Sequence, residues 1–148
     1  MANVKITGDK KVIANLNKLA ARAPKLAAGA LLLEAESIMT ASKNSFVPHD
    51  QGILKASGEV QKPPKVLPFG ASVVMGYGGQ AGAGNKEDNP NRYALAIHEH
   101  PSQHSPPSWA GGVTFKSGGP KYLEKPLRNA IPGMAARLAA GIRVGLKV

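Results

Sequence analysis

The sequence predicts an α+β fold: a small, mostly antiparallel sheet packed against a long N-terminal helix, with a further helix at the C-terminal end. Three observations carry this. Apolar residues recur at helical spacing from Val12 to Met39, short alternating runs occupy Ile53 to Tyr77, and helical spacing returns from Leu123 to Ile142. Strands gathered in one block, with helices before and after, mark α+β rather than the alternation of βαβ units.

Val4 and Ile6 alternate with Lys5 and Thr7, a short opening strand. Gly8 and Asp9 make a turn, with Asp9 placed to cap the next helix. Val12, Ile13, Leu16, Leu19 and Ala20 form the apolar face of that helix. Pro24 interrupts it and suits the first position of a second helix, where its missing N–H is not needed. The second helix, running to about Lys43, is the spine. Lys25, Gly29, Glu36, Thr40 and Lys43 fall near one narrow stripe, while Leu26, Leu31, Leu32, Leu33, Ala35, Ile38 and Met39 occupy much of the remainder. A surface helix of a monomer buries one face. Two readings stay open: a central core helix, or one shared between the sheet and a neighbouring subunit.

Val47 to Ser57, VPHDQGILKAS, joins this spine to the strands. Pro48 cannot continue a helix. Asp50 can fold its carboxylate onto nearby backbone amides, and Gly52 supplies a left-handed conformation, so the three residues form a structural turn. Leu54, Ala56 and Gly58 then alternate with Lys55, Ser57 and Glu59, which predicts a strand from Ile53 to Val60. A connection with Pro63, Pro64 and Pro68 leads to a second strand, Ala71 to Tyr77. Positions 78–92 read as a flexible loop rich in Gly and Asn. Tyr93 to His100 fits a helical turn and a strand equally. Pro101 to Gly119, with the single tryptophan Trp109, is a long irregular segment. Gly119 and Pro120 restart a helix through Leu123, Leu127 and Ala130. Pro132 and Gly133 break it, and Met134, Leu138 and Ile142 continue it. At 148 residues the chain is read as one domain, 1–148.

Composition narrows the function. Nineteen Lys and Arg against nine Asp and Glu give a net charge of +10, which favours nucleic acid or an acidic protein face. The cations are spread along the chain, with no aromatic-plus-basic signature of a nucleic-acid fold. The absence of cysteine excludes disulfides, thiolate metal sites and cysteine nucleophiles. The longest apolar run, Leu26 to Leu33, falls far short of the ~20 residues that span a bilayer.

Chemistry is sparse. His98 and His100 on a strand would share a face and could grip a metal with His104; the prolines around them favour a polar loop or interface instead. The run GGQAGAGNK lacks the Gly-Lys-Ser/Thr of a phosphate loop. No Gly-x-Ser-x-Gly elbow or triad order is present. Asp50 and Glu99 could act as an acid–base pair only if the fold joined them. The expectation is therefore no enzyme, no cofactor and no metal.

Three blocks resemble the tail-completion (neck, or minor tail) proteins of tailed bacteriophages. Val47 to Ser57 is similar to that family's "proline, any residue, aspartate, Thr-Gly, leucine, basic, Ala-Ser" signature, with Gln51 in place of threonine. Tyr93-Ala94 through Ile97-His98-Glu99 is similar to its "Tyr-Ala, apolar, Glu" segment, with His100-Pro101 after it here. Lys121 to Leu127 resembles the "basic, aromatic, Leu, two residues, Pro" start of its final helix. The resemblance implies a tail-terminator-like fold and a structural virion protein of the head–tail junction, assembled in the bacterial cytoplasm. It implies a homo-oligomeric ring, hexameric by preference with a dodecamer as the other option. The head connector or adaptor, tail terminator and tail-tube proteins would be its partners, with non-specific contact to passing DNA. Leu31, Leu32, Ile38, Met39, His98, Glu99, Trp109, Phe115 and Tyr122 are the expected interface residues. The competing class is a small basic DNA-binding or toxin–antitoxin-type protein.

Overall fold

Helix α1 runs from Asp9 to Ala41, 33 residues, about 50 Å at 1.5 Å per residue. This is a computed structural model, and it describes residues 8–48, 52–78, 90–99 and 118–146. The expected opening strand, Asp50, His100, His104, Trp109, Phe115 and most of both long loops lie outside the described residues.

Two expectations about α1 need correction. Pro24 lies inside one continuous helix rather than starting a second. A mid-helix proline removes one amide donor and crowds the preceding turn, at roughly 3 kcal/mol. Here it is flanked by Ala20, Ala21, Ala23, Ala27 and Ala28, the strongest helix formers, which hold the helix on both sides. Gly8, not Asp9, takes the cap position, in the left-handed region at φ 105°. Its carbonyl accepts the amides of Lys11 and Val12 at 3.1 Å. Asp9 instead sits in the first turn, where a carboxylate suits the positive end of the helix dipole.

The far end of α1 widens into a π-helical turn, Ser42–Phe46, in which the Val47 amide donates to the Ser42 carbonyl at 2.9 Å. Val47 is extended (φ −66°, ψ 130°), the conformation that a proline imposes on the residue before it. Pro48 is buried and ends the helix. Gly52 adopts the expected left-handed geometry, φ 84°.

The segment after Gly52 is not the predicted strand. Ile53–Ala56 is one turn of helix, α2. Leu54 alone turns fully inward, and Ser57 Oγ donates back to the Leu54 carbonyl at 2.8 Å. A serine that satisfies a carbonyl three residues back favours a closed turn over a strand. The alternation is too short to outweigh it.

The sheet region is a single interrupted hairpin. β1 (Glu59–Val60) pairs antiparallel with β4 (Met75–Gly76), and β2 (Lys65–Leu67) pairs antiparallel with β3 (Gly70–Ser72). The predicted strand Ala71 to Tyr77 is thus split, and the supposed proline-rich connection supplies β2. Between the two ladders Gln61–Pro64 lie opposite Val73–Val74, four residues against two. Pro63 and Pro64 have no amide to donate, so the ladder cannot run through them. The hairpin lies against α1, tied by the Glu36–Lys62 ion pair.

The ambiguous segment is helical: α3 spans Pro90–Glu99, with Ala94 and Ile97 buried at helical spacing and Leu95 exposed. α4 spans Glu124–Leu146 and is broken, as expected, at Pro132 (ψ 121°) and Gly133 (φ 78°). It runs antiparallel to α1: Arg137 faces Glu34, Gly141 faces Ala30, and Gly145 faces Leu26. The glycines let the two backbones approach closely. Arg137 fastens the break. Its guanidinium donates to the Pro132 carbonyl (3.2 Å) and the Ala130 carbonyl (2.7 Å), and through Nε to both Glu34 oxygens at 3.0–3.1 Å. The planar fork thus satisfies carbonyls in the interrupted turn while joining α4 to α1.

Candidate assembly surface

Residues far apart in sequence meet in one core. Val47 and Leu54, Ala94 and Ile97, and Tyr122 form a single buried cluster, with Phe46, Tyr77 and Leu123 packed around it. Tyr122 is its centre, only 2% exposed. The Tyr77 and His98 rings stand edge-on to it at 5.0 and 4.9 Å, geometries favoured by the ring quadrupole. Its hydroxyl donates to the Ala94 carbonyl at 2.7 Å, which fixes α3. Ser42, fully buried, donates to the Tyr122 carbonyl at 2.6 Å and lies 2.7 Å from the Tyr77 hydroxyl. Its one proton goes to the carbonyl, so the Tyr77 hydroxyl donates to Ser42. Burial pushes the Tyr77 pKa up to about 12, with the Ser42 bond opposing.

Outside this core runs a ladder of charges. Glu99 accepts from Lys121 and lies 2.7 Å from His98 Nδ1; Lys121 also approaches Glu124 at 3.4 Å, and Arg128 reaches Glu124 at 2.7 Å. The Lys121 ammonium, and then His98, hold the Glu99 carboxyl below its ordinary value. Glu124 is lowered first by Arg128, and Lys121 is raised first by Glu99. Lys121 takes a left-handed backbone (φ 59°), and its amide donates to the His98 carbonyl at 2.7 Å. The ladder joins the end of α3 to the start of α4. Exposed ion pairs of this kind add little stability but order a surface.

The interface residues expected from sequence divide sharply. Ile38, Met39 and Tyr122 are buried within the chain, where α1 packs on the hairpin and on the core, so their side chains offer no outward surface. Leu31 and Leu32 are half-buried. His98 is mostly covered, with a buried Nε2 that has no hydrogen-bond partner, whereas Glu99 is exposed. Trp109 and Phe115 lie outside the described residues. Of the turn residues, Pro48 and Gly52 are placed as expected, and Asp50 is not described.

The surface that sequence reading passed over is the first half of α1. Val12 and Leu16 are each 58% exposed, Ile13 55% and Leu19 38%. Every residue from Asp9 to Arg22 is exposed. Their spacing is legible; what it cannot show is that α4 ends its contact near Leu26 and leaves this stretch uncovered. At the tip of the β2–β3 hairpin, Val66, Leu67 and Phe69 are exposed too.

No group of three or more potential ligand side chains is placed to hold a metal among the described residues. A shallow cleft of about 240 Å³ lies along β1 and β4, lined by Ser57, Glu59, Gln61, Met75 and Tyr77 among others. The Ser57 and Tyr77 hydroxyls are already bonded within the fold, and among the described residues Glu59 is the one carboxylate that lines it. Comparison of the chain with protein-family models, curated proteins and solved structures finds no match.

Proposed function

We propose that this protein is a structural component of the head–tail junction of a tailed bacteriophage, a ring subunit that completes the tail and meets the head connector while DNA passes through. One observation carries the reading. The three sequence blocks that resemble the tail-completion family supply, between them, every described residue of the buried cluster: Val47 and Leu54 from the first, Ala94 and Ile97 from the second, Tyr122 from the third. A resemblance scattered by chance has no reason to converge on one packing unit. Support of a second kind comes from the uncovered apolar surfaces on α1 and the hairpin, because exposed contiguous apolar patches mark association sites. Two different faces on one subunit are what a heterologous, ring-closing interface requires.

The test is assembly. Sedimentation and negative-stain microscopy of the purified protein are expected to show a closed ring, a hexamer by preference, and the protein is expected to join filled heads to tails in extracts that lack it. A monomer or dimer at all salt concentrations, inactive in joining, would sink the reading. The net charge of +10 favours a second reading, a small basic DNA-binding or toxin–antitoxin-type protein. That reading expects tight, sequence-dependent DNA binding, whereas a channel-lining contact is sequence-independent and falls steeply with salt.

A further inference from the structure

We infer that the free end of α1, Asp9–Arg22, inserts as a preformed helix into an apolar groove with an acidic rim on a different protein. The inference sharpens the assembly reading and rests on it only in requiring a protein partner. Val12, Leu16, Leu19 and Ala23 keep the i, i+4, i+7, i+11 spacing of helix-in-groove anchors, with Ile13 beside them. The exposed stretch of 14 residues is about 21 Å long at the helical rise. At 100° per residue the anchors form a stripe about 120° wide, while Lys11, Lys18, Arg22 and Lys25 crowd within about 60° on the other side. None of these four cations takes part in an ion pair among the described residues.

Charge selects the occupant. Of the six described carboxylates, Glu34, Glu36, Glu99 and Glu124 are each paired with a Lys or Arg of the same chain, which leaves Asp9 and Glu59. Against four unpaired cations a second copy, at a net charge of +10, brings net repulsion. A membrane surface is disfavoured on other grounds. The stripe holds four large aliphatic side chains and no aromatic, and interfacial binding scales with buried apolar area. What remains is a partner that is apolar in the groove and acidic at its edge.

Calcium-loaded calmodulin is a suitable probe, since it opens a Met-rich groove to basic amphipathic helices, and its calcium-free form keeps that groove closed. The full chain is expected to bind the loaded form at least about tenfold more tightly than the calcium-free form. Leu16→Asp, at an exposed site that leaves the core intact, should erase that difference, and Leu16→Met should keep it. Equal affinity for both forms, unaffected by Leu16→Asp, would show attraction by charge alone and overturn the inference. So would tighter binding to phosphatidylserine vesicles than to the loaded probe. Sedimentation of the chain alone separates the last case. If Leu16→Asp dissociates a homo-oligomer, a second copy occupies the stripe, and this inference falls while the ring reading stands. If the chain is monomeric at all salt concentrations and inactive in joining, yet binds the groove, the ring reading falls and this one stands.

Discussion

Ser42→Ala removes one oxygen atom and tests how the core is held. Ser42 is 0% exposed and sits at the first residue of the π-helical turn, where it bridges Tyr77 and the Tyr122 carbonyl at 2.7 and 2.6 Å. Each neutral hydrogen bond contributes about 1 kcal/mol net, and a buried hydroxyl that loses its acceptor costs about 1 kcal/mol more. The methyl group recovers almost nothing, because the site is already full. The expected loss is therefore roughly 2–3 kcal/mol, which for a chain of this size lowers Tm by about 5–10 °C. Urea unfolding monitored by circular dichroism, at one fixed protein concentration, measures it. A cycle with Tyr77→Phe adds a second reading: the two changes should couple by about 1 kcal/mol, since both delete the same bond. A loss below about 0.5 kcal/mol, with no coupling, would show that the network is not holding the turn.

Gly118→Ala should destabilise by roughly 3 kcal/mol in the same urea assay, because φ is +81° and the new Cβ would lie 2.5 Å from the Val47 carbonyl, which is backbone and cannot step aside. Pro24→Ala should stabilise α1, by up to about 3 kcal/mol locally, read as slower amide exchange from Asp9 to Arg22; no change would restore the two-helix reading. Arg137 hydrogen-bonds Glu34 and holds its carboxyl below the ordinary 4.5, so the pair stabilises above that pH and the contribution fades as pH falls through the lowered value. Arg137→Gln should flatten the acid limb of the Tm–pH curve, and an unchanged limb would count against the clasp. Tyr77 shifts the other way: with a folded value of about 12 against 10.0, its contribution is complete below pH 10 and is lost on rising through 12. After allowance for its partial exposure that is roughly 1–2 kcal/mol, which Tyr77→Phe should remove from the alkaline limb.

How legible each element was depends on where its determinant lies. The Pro48 stop, the left-handed Gly52 and the Pro132–Gly133 break are set by backbone chemistry within one or two residues, and each appears where expected. Ile53–Ala56 escaped because apolar alternation competes with a helical turn over so few residues, and Ser57 closing onto Leu54 tips the balance. Tyr93 to His100 could not be assigned alone, since the choice rests on Tyr122 reaching the Ala94 carbonyl from 28 residues away. The candidate site was harder still. Ile38, Met39 and Tyr122 have the apolar character of an interface, but that character equally suits a core, and only packing separates the two.

The two halves of α1 show the same ambiguity resolved in opposite directions. Beyond Pro24 most of its apolar residues are buried or half-buried, Leu33 excepted, whereas every residue from Asp9 to Arg22 is exposed. An isolated helix of this exposed length is marginal in water. It persists because it is propagated from a buried half that supplies the nucleus. That arrangement presents a helix already ordered before any partner arrives, so docking does not carry the entropy of folding it. The long spine is thus two devices on one axis: a core element that fixes the domain, and an exposed apolar helix on which the proposed docking rests.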